Sequence, residues 1–212
     1  MNVEANENYR KAALAIANLI REGGQRSFLF ASATRGEGTT TAILNVARHL
    51  KSNCGIEPLV IELDLERPVL VKFLRLDADK TFQAISSGKL TAQECIQRFA
   101  EGIATIPASA SNGRSDRSVD KSKVLGQILE SMGSRFDAVL VDTPPILEQA
   151  DVMQVASLIP RVVLVVEAGR TRYEMLERIK RQFAAENCTI VAAILNKHKR
   201  YIPRWIYRLL VQ

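Results

Sequence analysis

The run FLFASATRGEGTTTAILNVARHL, from Phe28 to Leu50, carries the most specific pattern in this chain of 212 residues. It is predicted to start as an apolar strand, to continue into a loop that contains Gly36 and Gly38, and to open a helix on a series of threonines. Glycines let successive backbone N–H groups face inward, and the N-terminus of a helix adds a partial positive charge, so this order of elements suits a bound phosphate. The run therefore predicts a phosphate-binding loop, and an ordinary strand-to-helix turn is the alternative for this segment alone.

The loop departs from the phosphate-loop pattern GxxxxGK[ST] at two positions. Ala33 stands at the first glycine, and Thr39 stands where a lysine would reach the β- and γ-phosphates. Thr40 keeps the hydroxyl that would bind Mg²⁺. The backbone cradle survives these changes but the point charge does not, and losing one such contact at a reacting centre costs about 3–4 kcal/mol. The sequence thus predicts that binding persists while catalysis weakens.

Around this run, short apolar segments rich in β-branched residues alternate with segments of helical period. The predicted strands cover residues 27–33, 58–63, 102–107, 136–142, 161–169 and 189–196. The predicted helices cover residues 40–50, 92–100, 121–132 and 173–185. The strands are apolar throughout, as expected when helices cover both faces of a parallel sheet. We therefore predict an α/β fold with three layers, a parallel sheet flanked by helices, of the P-loop type.

Two carboxylates follow the second predicted strand, in the run VIELDLERP from Val60 to Pro68. Glu62 and Asp64 are two positions apart, so they project in the same direction from a strand. They also lie at the carboxyl edge of the predicted sheet, which is where ligands bind in parallel sheets. This arrangement directs two carboxylates toward one metal ion, and a solvated acidic strand end is the alternative.

A third motif, FDAVLVDTPP from Phe136 to Pro145, is a predicted buried strand that ends in Asp142. This is the Walker B pattern, in which a strand delivers a carboxylate to the water shell of Mg²⁺. A hydrophobic run followed by Asp is common by chance, but here it comes third in the expected order of motifs. The predicted ligands of a metal ion are Thr40, Glu62, Asp64 and Asp142.

Asn196 closes the last predicted strand, in AILNK. An asparagine amide at this edge of the sheet suits hydrogen bonds with an adenine ring. A turn asparagine that merely ends the strand is the alternative, and the residues alone do not decide between them.

Composition restricts the class of protein further. Hydrophobic residues make up 47% of the chain and charged residues 25%, which argues against a disordered or fibrous protein. The sequence contains no apolar run as long as a transmembrane helix, and its polar N-terminus argues against a secretory signal, so we expect a cytoplasmic location. The three cysteines are odd in number and far apart, which disfavours a zinc site or a disulfide framework.

The C-terminal run KHKRYIPRWIYR, from Lys197 to Arg208, is basic and contains no acid. We predict residues 1–200 as one nucleotide-binding domain and residues 201–212 as a basic amphipathic segment. Trp205 and nearby apolar residues gather on one side of a predicted helix, which suits a membrane surface or a partner helix. Docking on its own domain is the alternative. The basic charge has no nucleic-acid reading motif beside it, so no nucleic-acid partner is expected.

These motifs together resemble the cytoplasmic catalytic domain of bacterial tyrosine kinases (BY-kinases). These kinases are P-loop ATPases of the polysaccharide co-polymerase system, related to the division and partition ATPases. The resemblance runs over nearly the whole chain. ENYRKAALAIANLI is similar to the family's opening helix, SATRGEGTTT to its Walker A motif, LVIELDLERP to its Walker A′ motif and FDAVLVDTPPILEQAD to its Walker B motif.

The resemblance implies ATP or ADP and Mg²⁺ as cofactors. It implies Asp64 and Asp142 as catalytic carboxylates, with Asp64 at the position that helps to deprotonate an acceptor tyrosine. It also implies a transmembrane polysaccharide co-polymerase as partner, a homo-oligomer, and a location on the cytoplasmic side of the inner membrane. It implies Gly36, Glu37, Gly38, Thr40, Thr41 and Asn196 as nucleotide-binding residues, and we add Arg35 and Thr39 of the same loop to this prediction.

Several departures from the family pattern weaken the predicted catalysis. One departure is Thr39, which stands in place of the lysine. In the Walker A′ motif, Glu62 replaces the first aspartate, and Glu66 replaces an arginine that the family has two residues after the second aspartate. Arg35 and Arg67 are the nearest candidates to replace the missing lysine charge. We expect an ATP-binding, BY-kinase-like protein that regulates synthesis or export of an extracellular or capsular polysaccharide, and whose chemistry, if retained, is tyrosine autophosphorylation. The alternatives are a catalytically impaired regulatory partner and a membrane-associated positioning ATPase.

Overall fold

The computed structural model of the chain describes residues 3–109, 120–132 and 135–198. The predicted C-terminal segment, 201–212, lies outside the described residues. The prediction of a separate terminal segment therefore stays a prediction. None of the helices in the described part of the chain is both long and apolar enough to span a membrane.

Strands and helices alternate along the chain as the apolar pattern predicts. The strands are β1 Ser27–Ser32, β2 Pro58–Glu62, β3 Gln97–Arg98, β4 Ala104–Ile106, β5 Ala138–Asp142, β6 Arg161–Glu167 and β7 Thr189–Asn196. The α-helices are α1 Val3–Gly23, α2 Thr39–Cys54, α3 Leu70–Leu74, α4 Phe82–Ser86, α5 Ala92–Cys95, α6 Lys121–Met132, α7 Val152–Leu158 and α8 Tyr173–Ala185. A 3₁₀ turn at Ala100–Gly102 separates β3 from β4.

The seven strands form one sheet in the order β3-β4-β2-β5-β1-β6-β7. Helices cover both faces, because successive residues of a strand point to opposite sides. In β1, Phe28 and Phe30 belong to one buried apolar cluster together with residues of α1 and α2. Leu29 and Ala31 belong to a second cluster, on the side of α6, α7 and α8. The three-layer α/β fold is therefore confirmed, and the absence of alternation in the strands is explained.

One edge of the sheet differs from the predicted parallel arrangement. The predicted helix at 92–100 ends at Cys95, after a capping box formed by Thr91 and Glu94. The chain then extends as β3, which pairs antiparallel with β4 through a tight reversal that Gly102 permits with a φ of 71°. The sheet is thus mixed, with six parallel strands and one antiparallel edge strand.

Strand register places the predicted motifs beside one another. Phe30 of β1 and Glu62 of β2 are both in register with Asp142 at the end of β5. Glu167 of β6 is in register with Asn196 at the end of β7. Because the parallel strands end at the same edge, the loop after β1 is surrounded by the ends of four other strands.

Candidate nucleotide-binding site

An open cavity of about 300 Å³ lies at the carboxyl edge of the sheet, a volume within the range of small-molecule sites. The loop after β1 forms one wall, and the ends of β2 and β5 form the other. Polar or charged residues that line it are Ser32, Arg35, Thr39, Thr40, Thr41, Glu62, Asp64, Arg67, Asp142 and Thr143. The structure thus brings together most of the residues predicted from the sequence. Glu37 and Asn196 do not line this cavity.

Gly38 is required by the shape of the loop. Its φ is 92°, in the left-handed region that side chains disfavour. A Cβ atom at this position would lie 2.3 Å from Nδ2 of Asn196, which is far inside van der Waals contact. Gly36, with a φ of 87°, allows the preceding turn. The second glycine of the phosphate-loop pattern is therefore explained by both its backbone angle and its close packing.

Two carbonyl groups of the loop, those of Gly36 and Glu37, face residues that do not line the cavity. Nδ2 of Asn196 donates to the carbonyl oxygen of Glu37 at 2.9 Å, and Nζ of Lys197 donates to the carbonyl oxygen of Gly36. In a trans peptide the C=O and the following N–H point in opposite directions, so the N–H groups of Glu37 and Gly38 face the other way. Within the described ranges, the amides of residues 37–41 donate to no protein acceptor. Such a run of free amides at a helix N-terminus suits an anion.

The side chain of Glu37 is a structural part of the loop. It is 1% exposed, and its carboxylate accepts hydrogen bonds from the Ala33 amide at 2.9 Å and from the Thr171 hydroxyl at 2.6 Å. The Thr34 hydroxyl donates to it as well, at 3.1 Å. The sequence predicts that Glu37 binds nucleotide, and its geometry leaves only its main chain for that role.

The position of the missing lysine carries no charge in the structure. Thr39 is buried and lines the cavity. Arg35 is the cation that the structure holds nearest to the acids: its Nη1 lies 2.8 Å from Oδ2 of Asp64, and its Nε lies 3.2 Å from Oε2 of Glu148. Arg67 also lines the cavity. Both arginines named from the sequence therefore reach the site.

Thr40 and Asp142 meet across the cavity. The Thr40 hydroxyl donates to Oδ2 of Asp142 at 2.6 Å. Burial raises the pKa of Asp142 to about 8; the Thr40 hydrogen bond opposes that shift and the negative charges of Glu62 and Asp64 add to it. A hydroxyl and a carboxylate oxygen side by side are the hard donors that Mg²⁺ prefers.

Glu62 is held by main-chain amides. Its carboxylate accepts from the amides of Val69 at 2.7 Å, Leu70 at 3.2 Å and Ala108 at 2.9 Å. Burial raises the pKa of Glu62 to about 7, although these hydrogen bonds lower it in part. The side chain thus anchors the start of α3 and the segment after β4 to the end of β2. The sequence pattern of two acids contains no sign of this anchoring role.

The three acids do not form one cluster in this geometry. Asp64 pairs with Arg35 and Glu62 with main-chain amides, and among the described residues the structure has no group of three acidic, histidine or cysteine side chains placed to hold a metal ion. Thr40 and Asp142 are the pair whose oxygen atoms fit Mg²⁺. The predicted roles of Glu62 and Asp64 as metal ligands stay predictions.

Asn196 lies behind the loop and not on the open side of the cavity. It is 5% exposed, and its Oδ1 accepts from the Tyr9 hydroxyl at 2.8 Å and from the Lys197 amide at 2.9 Å. Its predicted contact with adenine stays a prediction. Tyr9 and Lys197 were not predicted as parts of the site. Helical periodicity indicates only that Tyr9 is buried, and a lysine after a strand is too common to carry a prediction.

The fold is P-loop NTPase-like, and comparison with solved structures agrees. The kinase domain of the Escherichia coli tyrosine kinase ETK superposes with a TM-score of 0.82, at 21% identity, over 92% of this chain and 76% of that domain. The cell division ATPase MinD of Pyrococcus furiosus superposes with a TM-score of 0.70, at 20% identity, over 88% and 79% of the two chains. A cobyrinic acid a,c-diamide synthase of Mycobacterium smegmatis, solved with bound ADP and magnesium, gives 0.65 at 18% identity over 80% and 71%. These likenesses establish the fold.

The relatives detected by sequence include bacterial tyrosine-protein kinases. The chain is 25% identical to tyrosine-protein kinase YwqD of Bacillus subtilis over 201 residues, which are 92% of this chain and 84% of that protein. It is 25% identical to tyrosine-protein kinase CpsD of Streptococcus agalactiae over 86% of this chain and 81% of that one. The succinoglycan biosynthesis transport protein ExoP of Rhizobium meliloti is also 25% identical, over 90% of this chain and 25% of ExoP. No family model matches the sequence. The resemblance to BY-kinases is confirmed by these homologues.

Proposed function

We propose that this protein binds ATP with Mg²⁺ and acts as a BY-kinase-like regulator of extracellular or capsular polysaccharide synthesis or export. The observation that carries the proposal is the phosphate loop: its carbonyl groups point outward, and the amides of residues 37–41 are left without a protein acceptor in the described structure. A loop arranged in this way has its donors ready for a phosphate before a ligand arrives.

The proposed cofactors follow from the donors of the two walls. Backbone amides would hold the phosphates, while the oxygens of Thr40 and Asp142, already 2.6 Å apart, would hold Mg²⁺. When bound, the ion would neutralise charge on the phosphate oxygens. The similar fold of the cobyrinic acid a,c-diamide synthase solved with ADP and magnesium supports this choice. In this proposal Arg35 faces the cavity as the cation that partly replaces the lysine absent at Thr39.

The biological setting is proposed from the relatives. YwqD and CpsD are tyrosine-protein kinases, and ExoP is a succinoglycan biosynthesis transport protein. This chain aligns with only 25% of ExoP, so ExoP carries a similar domain within a longer polypeptide. We therefore propose that the present chain works with a transmembrane polysaccharide co-polymerase on the cytoplasmic side of the inner membrane, as a homo-oligomer.

The proposed chemistry is transfer of the γ-phosphate to a tyrosine, with Asp64 and Asp142 as the catalytic carboxylates. Asp142 would act at the Mg²⁺ side, and Asp64 would accept the proton of the tyrosine hydroxyl. The structure holds Asp64 in an ion pair with Arg35, so this role requires Arg35 to turn from the acid toward the phosphates.

A second candidate is a regulatory protein that binds nucleotide but turns it over negligibly. Thr39 favours it, because this side chain supplies no charge at the reacting phosphate. Thr39→Lys should raise turnover by about 10²–10³ if that charge is the only defect. Unchanged turnover, with ADP affinity retained, would assign the loss to other substitutions such as Glu62. A third candidate, a membrane-associated positioning ATPase, is less favoured because Thr34 stands where those ATPases carry an early lysine.

Calorimetric titration with Mg-ADP tests the binding proposal directly. We expect one site per chain, and much weaker binding of AMP, because AMP lacks the β-phosphate that the loop amides would hold. Equal affinities for ADP and AMP, or no heat with either, would refute the phosphate-loop assignment. Anti-phosphotyrosine blots with Mg-ATP then separate the two candidates: a signal that disappears in Asp142→Asn supports the kinase, and no signal in the presence of the co-polymerase supports the regulator.

A further inference from the structure

We propose that Tyr9 is a positioning residue for the phosphate loop and that it acts through Asn196. The inference rests on the nucleotide site proposed above and adds to it a residue that does not line the cavity. Tyr9 belongs to α1, which packs across α2 and β7. The contact that joins the first helix to the end of the last strand spans 187 positions of sequence.

The first link is a buried hydrogen bond. Tyr9 is 3% exposed, and its hydroxyl donates to Oδ1 of Asn196 at 2.8 Å. The ring packs in the same apolar cluster as Ile16 and Ile194. Burial raises the pKa of the Tyr9 phenol, so the hydroxyl keeps its proton and remains a donor.

This hydrogen bond holds the oxygen of the Asn196 amide in place, while two groups of fixed polarity determine which way the amide faces. Oδ1 accepts from the Tyr9 hydroxyl and from the Lys197 amide, and Nδ2 consequently faces the carbonyl oxygen of Glu37 at 2.9 Å. A flipped amide would oppose its NH₂ group to the Lys197 N–H and place an oxygen against the carbonyl of Glu37. The Lys197 N–H and the Glu37 carbonyl therefore select one orientation of the amide, and the Tyr9 hydroxyl fixes the position of its oxygen.

The second link runs from Asn196 to the backbone amides of the phosphate loop. Because Nδ2 holds the Glu37 carbonyl outward, the amide of Gly38 on the same peptide unit faces the opposite side. The close approach of Nδ2 to Gly38 leaves no room there for a Cβ atom. A shift of the Asn196 side chain would therefore rotate the peptide that presents this amide to a phosphate.

Tyr9→Phe tests the link because it removes the hydroxyl and keeps the ring. We expect the dissociation constant for Mg-ADP to rise about fivefold, as for the loss of one buried hydrogen bond. Ile16→Val is the matched control, since it removes one buried methylene from the same helix without touching Asn196. Its affinity for Mg-ADP should stay within about twofold of wild type, although its melting temperature falls.

A double-mutant cycle shows whether the effect passes through Asn196. Asn196→Ala should weaken Mg-ADP binding more than Tyr9→Phe does, and adding Tyr9→Phe to it should cause no further loss. A purely structural role of Tyr9 predicts that the two losses multiply, which would overturn the proposal. So would an unchanged ADP affinity in Tyr9→Phe.

A measurement on the free protein separates this inference from the proposed function. In Tyr9→Phe, the NMR order parameters of the Glu37 and Gly38 amides should fall, whereas Ile16→Val should leave them at wild-type values. If wild-type protein binds no Mg-ADP, the proposed function fails. The order parameters still test whether Tyr9 positions the loop, because they are measured without nucleotide. Equal order parameters in all three proteins would refute the role of Tyr9.

Discussion

The two walls of the cavity are built in opposite ways. On the loop wall, the side chain of Glu37 and the carbonyl groups are hydrogen-bonded to the protein, and the free groups are backbone donors. On the acid wall, the groups that face the cavity are carboxylates with protein partners of their own, and burial raises the pKa of Asp142 to about 8 and that of Glu62 to about 7. The loop wall therefore presents donors to an anion. On the acid wall, Asp142 and Glu62 favour the protonated form in the absence of a cation.

This difference means that substitutions in the two walls should have opposite effects on the free protein. A substitution in the loop wall disturbs a network of satisfied hydrogen bonds, so both the nucleotide affinity and the free energy of unfolding should fall. A neutral residue in the acid wall removes an unfavourable buried carboxyl group. The free energy of unfolding should therefore rise, while the dependence of nucleotide binding on Mg²⁺ is lost. Measurements of stability and of affinity on the same variants therefore distinguish the walls.

Gly38→Ala should have the largest effect. The new Cβ atom meets Nδ2 of Asn196 at 2.3 Å and forces alanine to a φ of 92°. We expect Mg-ADP affinity to fall by about 10² or more, because left-handed strain alone costs about 1–2 kcal/mol and the loop must also move away from Asn196. Calorimetric titration measures the loss.

Gly126→Ala is the control for that experiment. Gly126 lies within α6, and a Cβ atom there would meet nothing within 4 Å. This variant should keep wild-type affinity and gain about 0.5–1 kcal/mol of stability, since alanine is the better helix former. Equal affinities in the two glycine variants would show that the loop is adaptable and that the loop wall is not preorganised.

Asp142→Asn should separate the walls most clearly. The wild-type protein should bind ADP about tenfold more tightly, or better, with Mg²⁺ than with EDTA, and the variant should show no difference. In EDTA near neutral pH the variant should be more stable than wild type by on the order of 1–3 kcal/mol, because folding no longer has to protonate a carboxyl group that is ionised in the unfolded chain. Urea unfolding and calorimetry provide the two measurements.

The exposed Asp79→Asn is a matched control for charge alone. It should change neither the Mg²⁺ dependence nor the stability appreciably. A variant Asp142→Asn that is destabilised in EDTA would contradict the view that the acid wall is strained without a cation.

Glu37→Gln should have a smaller effect and in the opposite direction on stability. Gln supplies one oxygen where Glu supplies two, so its NH₂ group either opposes the Ala33 amide or forces the two threonine hydroxyls to turn and accept. We expect a loss of about 1–3 kcal/mol in unfolding free energy, together with weaker ADP binding. The exposed Glu186→Gln should be silent in both assays, and a silent Glu37→Gln would refute the structural role of this carboxylate.

The smallest expected effect is the change in stability from one pH unit to the next on the acid wall, at most about 1.4 kcal/mol for one carboxyl group. The pKa of Asp142 rises from 3.8 to about 8 on folding, so the folded state binds a proton that the unfolded state releases. Stability in EDTA should therefore fall as pH rises from about 4 to about 8, and Asp142→Asn should remove this contribution. The gap between variant and wild type should widen with pH, and a gap that narrows would contradict the raised pKa.

Much of the fold could be predicted because apolar strands and glycine-containing loops have strong local patterns. The helices at Lys121–Met132 and Tyr173–Ala185 have the predicted bounds, and six of the seven strands fall within predicted segments. The helices α3, α4 and α7 were missed because five to seven residues give too little periodicity to recognise. The strand Gln97–Arg98 was hidden in a predicted helix, since only its pairing with β4 makes it a strand.

The site was predictable to a lesser degree. Local spacing placed Thr40 near Asp142 and the loop near both acids, because parallel strands end at one edge. The partners of each side chain depend on contacts that no local pattern contains. Glu62 faces an amide at Ala108, and Asn196 faces Tyr9, although 46 and 187 positions separate them in the chain.

The contact between the first helix and the last strand has a practical consequence for deletion mapping. A fragment of residues 27–198 would keep every Walker motif, yet it would lack the hydroxyl that orients Asn196. It would also uncover the apolar face that Ala13, Ile16 and Ala17 now cover, and would tend to aggregate. Inactivity of such a fragment would reflect the loss of this support and would leave the nucleotide chemistry of the whole chain untested.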